Sequence, residues 1–217
     1  MSNPTYNNYI GILASLRALM PHRALSFDES LRVAELQANR LLEWFQVVEA
    51  PVPTELLTEL PRIDVRTERS LPVSGATYWN GTDWVIALNG SEPWTRRRHT
   101  LAHEFKHIVD HTNRNLAYQP NKWHSAAEQA EKVADYFAGC LLIPRRQLKA
   151  AYFGGMQDPV LLARHFNASV PAIRVRLAQT GLADAGRCLD GAGSSASSGR
   201  GGPYYRRSQV TSLREVV

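Results

Sequence analysis

Apolar residues recur every three or four positions along much of this chain, which is the pattern of helices that bury one face. The pattern predicts a first helix over Asn7–Met20 and a long second helix that begins after Ser26 and continues to about Val47. Ser26 and Glu29 form a capping-box sequence, which satisfies free amides at the start of the second helix. Both helices are expected to form a scaffold over the rest of the domain.

The pattern becomes strand-like from Ile63 onward, after a brief helix predicted over Glu55–Leu60. Two strands, Ala76–Trp79 and Asp83–Leu88, flank Asn80-Gly81, and both residues of that dipeptide tolerate the positive φ angles of a tight turn. This part of the chain therefore predicts a β-hairpin.

The second half of the chain is again helical. A helix is predicted over Thr95–His111, and a polar loop over Thr112–His124 separates it from the next one. That next helix begins after Ser125, which opens a second capping box, and ends near Leu142. Two short helices within Asp158–Leu182 share an apolar face, as in a helix-turn-helix.

These elements divide into three predicted units. Residues 1–150 form an α+β domain, mostly helical with a small β-hairpin or sheet, and residues 151–185 form the helix-turn-helix-like segment. Residues 186–217 are rich in Gly and Ser and then in basic residues, so we expect them to be a disordered tail.

The composition is that of an ordinary globular protein: 217 residues, 44% hydrophobic and 21% charged. A net charge of +5 favours acidic partners only slightly. Cys140 and Cys188 lie in very different surroundings, so a disulfide framework is not expected and a reducing cytoplasm fits better. The apolar run Tyr9–Leu16 is short and is followed by Arg17, which indicates neither a signal peptide nor a membrane helix.

The helix predicted over Thr95–His111 contains the sequence His-Glu-Phe-Lys-His. His103 and His107 are four residues apart, so on a helix both imidazoles face the same way and can hold one metal ion. Glu104 lies on the flank of that face, where its carboxylate can reach a water molecule beside the ion. The same five-residue pattern also occurs on solvated helix faces, so the interpretation depends on a third ligand.

A catalytic zinc site usually has three protein ligands and one open position. In one extended motif a glycine turn brings a third histidine back to the ion, but Asp110 and Asn113 occupy the required positions here. His111 is eight residues after His103, about 12 Å along a helix, which is too far to share the ion. His99 is excluded by the same geometry unless it replaces the second histidine of the pair.

A glutamate from the next helix is the alternative, and Glu128 and Glu131 are both candidates. Glu128 already completes the capping box with Ser125, so Glu131 is the predicted third ligand. Asp135, one turn further on, would face the same way and accept the outer N–H of a ligating imidazole.

Together these residues predict zinc-dependent hydrolysis of a peptide bond. Zinc acidifies water and polarises a carbonyl, and Glu104 would act as general base and pass the proton to the leaving nitrogen. Tyr118, His124 and Tyr136 are candidates to stabilise the oxyanion, and the sequence does not choose among them. Two histidines and a carboxylate also suit manganese or iron. The hairpin either aligns an extended peptide along its edge or only covers the core.

The same residues resemble the ImmA/IrrE family of metallo-endopeptidases. The resemblance covers roughly Ile63–Leu182. It is carried by linked segments: the hairpin strand Val85–Asn89, the sequence Thr100–His107, the sequence Glu131–Pro144 and the helix-turn-helix-like region that follows. Two positions depart from the pattern, because Lys106 stands where many members have a small residue and His99 where an aromatic residue is frequent.

The resemblance implies a zincin-like metallopeptidase fold and a gluzincin-type site, with His103, His107 and Glu131 on zinc and Glu104 as base. Members of the family are similar in cleaving a partner repressor of the helix-turn-helix type. The implied substrate is therefore such a repressor, encoded nearby, whose cleavage derepresses a stress or mobile-element response.

A function from another class also stays open, namely a DNA-binding or partner-binding regulator that acts through Asp158–Leu182 and has a purely structural metal site. Arg174 and Arg176 are the base-reading candidates of its second helix. A structural zinc site, however, normally has four protein ligands and does not need Glu104. The favoured prediction is a cytoplasmic zinc endopeptidase with a protein substrate and no membrane partner.

Overall fold

The structure, a computed structural model, describes residues 4–182, with side chains from residue 11 onward. The predicted tail, 186–217, and Cys188 lie outside these residues.

The described residues form the predicted α+β fold, which is mostly helical with one three-stranded sheet. In chain order the elements are α1 (Pro4–Ala18), α2 (Phe27–Trp44), α3 (Glu55–Thr58), β1 (Ile63–Glu68), β2 (Gly75–Trp79), β3 (Trp84–Asn89), α4 (Trp94–Asp110), a 3-10 turn (His111–Asn113), α5 (Arg114–Ala117), α6 (Ala126–Leu142), α7 (Arg145–Phe153), α8 (Pro159–Phe166) and α9 (Val170–Gln179). None of the helices between residues 4 and 182 has the length and apolar character needed to cross a membrane.

Both predicted capping boxes are present. The Ser26 hydroxyl accepts a hydrogen bond from the Glu29 amide, and the Glu29 carboxylate accepts one from the Ser26 amide. Ser125 and Glu128 make the same reciprocal pair at the start of α6. Because each box satisfies amides that have no partner within the helix, it fixes where the helix begins.

Several elements differ from the prediction in their bounds, among them α1, which is Pro4–Ala18 rather than Asn7–Met20. α2 ends at Trp44 rather than near Val47, because Gln46 has a φ of 55°, which a right-handed helix does not accommodate. The loop predicted over residues 112–124 contains the single-turn helix α5, and the 3-10 turn before it begins at His111, because α4 ends at Asp110. Between the helix that ends at Leu142 and the segment that begins at Asp158, the structure has a further helix, α7, with Pro144 at its N-cap position.

The predicted hairpin forms, and β1 joins it as a third strand. The strand order is β1–β3–β2, with β3 antiparallel to β2 and parallel to β1. Residues 85–88 of β3 are all buried, as expected for the central strand. Gly81 makes the turn between β2 and β3 with a φ of 99°, a value that favours glycine. β2 is therefore an edge strand of the sheet that the described residues form.

One hydrophobic core joins the helices and the sheet. α6 packs against both α2 and α4, and α4 also packs against β2 and β3. Phe105 of α4 and Phe137 of α6 are fully buried, with ring centroids 6.3 Å apart. α4 therefore lies between the sheet and α6, which brings its histidines beside the acidic residues of α6.

The helix-turn-helix-like segment, formed by α8 and α9, shares this core. Phe166 and Ile173 are fully buried members of it. Arg98 of α4 donates hydrogen bonds to the carbonyls of Phe166 (3.1 Å), Asn167 and Val52. This guanidinium therefore ties the turn between α8 and α9 to the helix that carries the two histidines.

Arg176 of α9 makes a second link and is only 2% exposed. Its Nε donates to the Ile143 carbonyl over 3.2 Å. Gly139 of α6 provides the space, since a methyl group there would lie 3.1 Å from the Arg176 Cδ. Arg176 is thus turned into the protein, whereas Arg174 is exposed.

Candidate metal centre

Three predicted ligands meet where α4 and α6 lie side by side. The Nε2 atoms of His103 and His107 are 3.1 Å apart. The Glu131 carboxylate lies 3.3 Å from the His103 Nε2 and 3.4 Å from the His107 Nε2. In the part of the chain that the structure describes, this is the one group of three or more His, Cys, Asp or Glu side chains that could hold a metal ion.

The dimensions of this triangle fit a tetrahedral ion. Zinc bonds to His nitrogen and carboxylate oxygen are about 2.0–2.1 Å long, which places neighbouring ligand atoms of a tetrahedron about 3.3 Å apart. The distance of 3.1 Å between the two Nε2 atoms is close to that separation, as are the distances of 3.3 Å from the His103 Nε2 to the Glu131 Oε2 and 3.4 Å from the His107 Nε2 to the Glu131 Oε1. Two imidazoles and one carboxylate are also the donor set of known catalytic zinc sites, which leave a fourth position open.

Asp135 contacts one of these imidazoles. Its Oδ1 lies 2.8 Å from the His103 Nδ1, so that this nitrogen is engaged and the Nε2 is directed at the triangle. Burial disfavours protonation of His103, but its hydrogen bonds with Asp135 and Glu131 outweigh this and raise the pKa to about 10. Burial likewise disfavours ionisation of Glu131, yet its hydrogen bonds with His103 and His107 lower the pKa to about 2.

These pKa shifts predict that zinc binding releases a proton. The ion requires the unprotonated Nε2 of His103, whose pKa of about 10 leaves the ring protonated near pH 7 in the metal-free chain. We expect calorimetry at pH 7.5, repeated in buffers of different ionisation enthalpy, to show about one proton released per zinc. Zinc affinity should accordingly rise with pH up to about 10, and a pH-independent affinity would contradict the assignment.

The stability of the metal-free chain should fall as the pH rises, whereas zinc affinity should increase. Because the folded-state pKa of His103 is raised, its contribution to stability is complete below about pH 6.5, the ordinary histidine pKa. That contribution is lost as the pH rises through 10.

Glu104, the predicted base, lies on the side of α4 that packs against the edge strand β2. The Thr77 hydroxyl donates a hydrogen bond of 2.7 Å to the Glu104 Oε2. Gly75 permits this close packing, because a methyl group there would overlap the Thr100 side chain and lie 3.2 Å from the Glu104 Cγ. The sequence did not reveal Thr77, although the alternation of side chains along a strand limits it to one of two faces.

The three oxyanion candidates make their hydrogen bonds and ring contacts elsewhere. Tyr118 is buried and its hydroxyl donates to Asp110, and burial raises its pKa. The Tyr136 hydroxyl donates to Glu35 over 3.0 Å. The His124 ring stacks on the ring of Phe27, with centroids 5.8 Å apart, and contacts the Lys132 ammonium. The oxyanion role stays a prediction for all three.

The residues excluded from the metal set occupy other positions. The His99 ring centroid is 6.5 Å from that of His103, and burial lowers the pKa of His99 to about 4. His111 packs edge-on against Trp84, with centroids 4.8 Å apart. Glu128 caps α6 through Ser125.

Fold and site together define a metallopeptidase-like domain, with a His, His and Glu set on two packed helices beside a mixed sheet. The model of the peptidase M78 family, described as the IrrE N-terminal-like domain, matches residues 63–178. The chain belongs to this family.

Other comparisons add the fold alone. No curated protein matches the chain at a significant level. Among solved structures, the chain is similar to a Mycobacterium tuberculosis transcriptional regulator, with a TM-score of 0.51 and 19% sequence identity. The match covers 77% of this chain and 51% of that one, so the chain spans about half the length of the regulator.

Proposed function

We propose that this protein is a zinc-dependent endopeptidase in which His103, His107 and Glu131 hold the ion and Glu104 is the general base. The observation that carries the proposal is the ligand set itself, whose atoms lie 3.1–3.4 Å apart. His103 and His107 lie on α4, the helix that also carries Glu104, and Glu131 reaches them from α6. A closed structural site would use a fourth protein ligand, and the metal-binding group found among residues 4–182 contains three.

The residues have distinct tasks in this proposal. A zinc ion bound here would polarise a peptide carbonyl and acidify a water molecule. The Glu104 carboxylate takes a proton from the attacking water and passes it to the leaving nitrogen. Asp135 keeps the His103 ring oriented through the 2.8 Å contact with Nδ1.

The edge strand β2 supports an extended peptide as substrate. An exposed strand edge binds such a peptide through backbone hydrogen bonds, which serve many side-chain sequences equally well. β2 lies directly beside Glu104, as the Thr77 contact indicates. A peptide paired with β2 would therefore run past the catalytic base.

The proposed substrate is a helix-turn-helix repressor encoded nearby, and the proposed location is the cytoplasm. Family membership and the likeness to a protein called a transcriptional regulator support a role in gene regulation. Residues 1–150 would carry the peptidase function, and residues 151–185 would be a helix-turn-helix-like segment. The burial of Arg176 favours this proposal over direct DNA reading by α9.

Co-expression tests the proposal. The wild-type chain and the Glu104→Gln variant, which keeps the size of the side chain and all three ligands, are each expressed with the products of neighbouring genes. Mass spectrometry should find a truncated partner with the wild type and an intact one with Glu104→Gln, in which zinc content is unchanged. Equal cleavage by both proteins would exclude Glu104 as the base.

A further inference from the structure

The register of the hairpin shows which backbone groups of β2 face outward. The Asn89 amide donates to the Ser74 carbonyl, and the Asn80 amide donates to the Asp83 carbonyl. In an antiparallel pair, hydrogen-bonded and non-hydrogen-bonded positions alternate along each strand. Position 76 and position 78 therefore pair with β3, while the amides and carbonyls of positions 75, 77 and 79 point to the outer edge of the sheet that residues 4–182 form.

Thr77 thus has two separate connections. Its backbone N–H and C=O lie on the outer edge of β2, where an added strand would pair. Its side chain points toward α4 and donates to the Glu104 Oε2 over 2.7 Å. Thr77 therefore links two parts of the proposed site. Its backbone belongs to the strand edge at which a peptide would bind, and its side chain contacts the carboxylate of the proposed general base.

We propose that Thr77 is a positioning residue that sets the orientation of the Glu104 carboxylate at the point where the substrate backbone pairs with β2. This inference rests on the proposed peptidase function and deepens it. With Oε2 held by the hydroxyl, Oε1 is left to take the proton from water. The backbone groups that would pair with the peptide and the hydroxyl that holds Glu104 belong to the same residue. The peptide and the base are therefore held in a fixed position relative to each other.

Two substitutions separate the hydroxyl from the rest of the side chain. Thr77→Val keeps the shape and the backbone edge but removes the donor, whereas Thr77→Ser keeps the donor and removes a methyl group. Thr67→Val makes the same change at an exposed position of β1, the other edge strand, and is the matched control.

The kinetic test uses the full chain loaded with zinc and a peptide selected from a mixture of random extended peptides by wild-type cleavage. Thr77→Val should lower kcat about tenfold and leave KM within about twofold, because backbone pairing persists while the base loses its orientation. Thr77→Ser and Thr67→Val should stay within about threefold of the wild type in kcat. A merely structural role would change KM, or would affect Thr77→Ser as much as Thr77→Val.

The outcomes distinguish this inference from the function on which it rests. If Glu104→Gln is inactive and Thr77→Val retains the wild-type kcat, the positioning role is wrong and the peptidase proposal stands. If the zinc-loaded wild type cleaves nothing, the peptidase proposal fails, and the positioning role of Thr77 fails with it.

Urea unfolding of the metal-free chain tests the Thr77–Glu104 contact independently of any peptidase activity. The destabilisation by Thr77→Val should be smaller when Glu104→Ala has already removed the acceptor. Strictly additive effects of the two substitutions would overturn the contact.

Discussion

Replacing Glu131 by alanine is expected to weaken zinc binding more than about 100-fold and to stop peptide cleavage. Mutation of a residue that hydrogen-bonds to a metal ligand typically lowers metal affinity 10–100-fold, and loss of a ligand itself should lower it further. Glu131 supplies the negative charge of the site, since its pKa of about 2 keeps it ionised at any pH near neutrality. Competition with a chromophoric zinc chelator measures the affinity, and metal analysis should find about one zinc per wild-type chain.

Glu128→Ala is the matched control for this substitution. Glu128 lies three residues earlier on α6 and forms the capping box with Ser125 rather than a side of the ligand triangle. Its loss removes only the return hydrogen bond to the Ser125 amide, while Ser125 still caps the amide of residue 128, so it should cost less than about 1 kcal/mol of stability and leave zinc affinity nearly unchanged. Full zinc retention in Glu131→Ala together with loss in Glu128→Ala would reverse the assignment of the third ligand.

Replacing Asp110 by alanine is expected to destabilise the fold by about 3–5 kcal/mol, because it leaves a buried charge without its partner. Lys106 and Asp110 are only 2% and 4% exposed, and the Lys106 Nζ lies 2.5 Å from the Asp110 Oδ1. The ammonium also donates to Gln37 over 2.7 Å and lies over the ring of Phe137. Burial lowers the pKa of Lys106, and the charge of Asp110 opposes that shift.

Urea unfolding provides the measurement, with two further variants as controls. Asp64→Ala removes an exposed partner of Arg66 and should cost less than about 1 kcal/mol, as surface ion pairs do. The double variant Lys106→Met with Asp110→Leu removes both charges and should recover most of the loss. A loss below about 1 kcal/mol in Asp110→Ala would mean that Lys106 finds another partner or water.

The grouping of His103, His107 and Glu131 could be predicted because its signals are local. The spacing of His103 and His107 needs only helix geometry, and the capping boxes fix where α2 and α6 begin. The choice between Glu128 and Glu131 followed from the cap, because a glutamate bound to Ser125 is occupied. The α+β class followed from the change of apolar period at Ile63.

Long-range pairing was not predictable in the same way. β1 pairs in parallel with β3, and β2 lies between these two strands in the sequence. Whether they meet depends on how the intervening chain folds, which the side chains of β1 do not indicate. The contact of Thr77 with Glu104 required the face of β2 to be known, and that face is chosen by the packing of α4. Neither contact leaves a trace in residue spacing alone.

Arg176 and Lys106 are charged residues that the structure buries. Their charge favours exposure, and this expectation obscures what the surrounding sequence indicates. Arg176 lies three residues after Ile173 and one before Leu177, so it shares their helix face and is buried with them. Its charge favoured exposure, because arginine is mostly found at the surface. Lys106 was visible only as a departure from the family pattern, and its partners Gln37 and Asp110 come from two different helices.

A crystal of the zinc-soaked chain, measured at the zinc absorption edge, tests the central claim most directly. The anomalous signal should give one peak about 2.0–2.2 Å from the Nε2 atoms of His103 and His107 and from a Glu131 carboxylate oxygen. No peak at this triangle, or a peak bound by Glu128 in place of Glu131, would contradict the account.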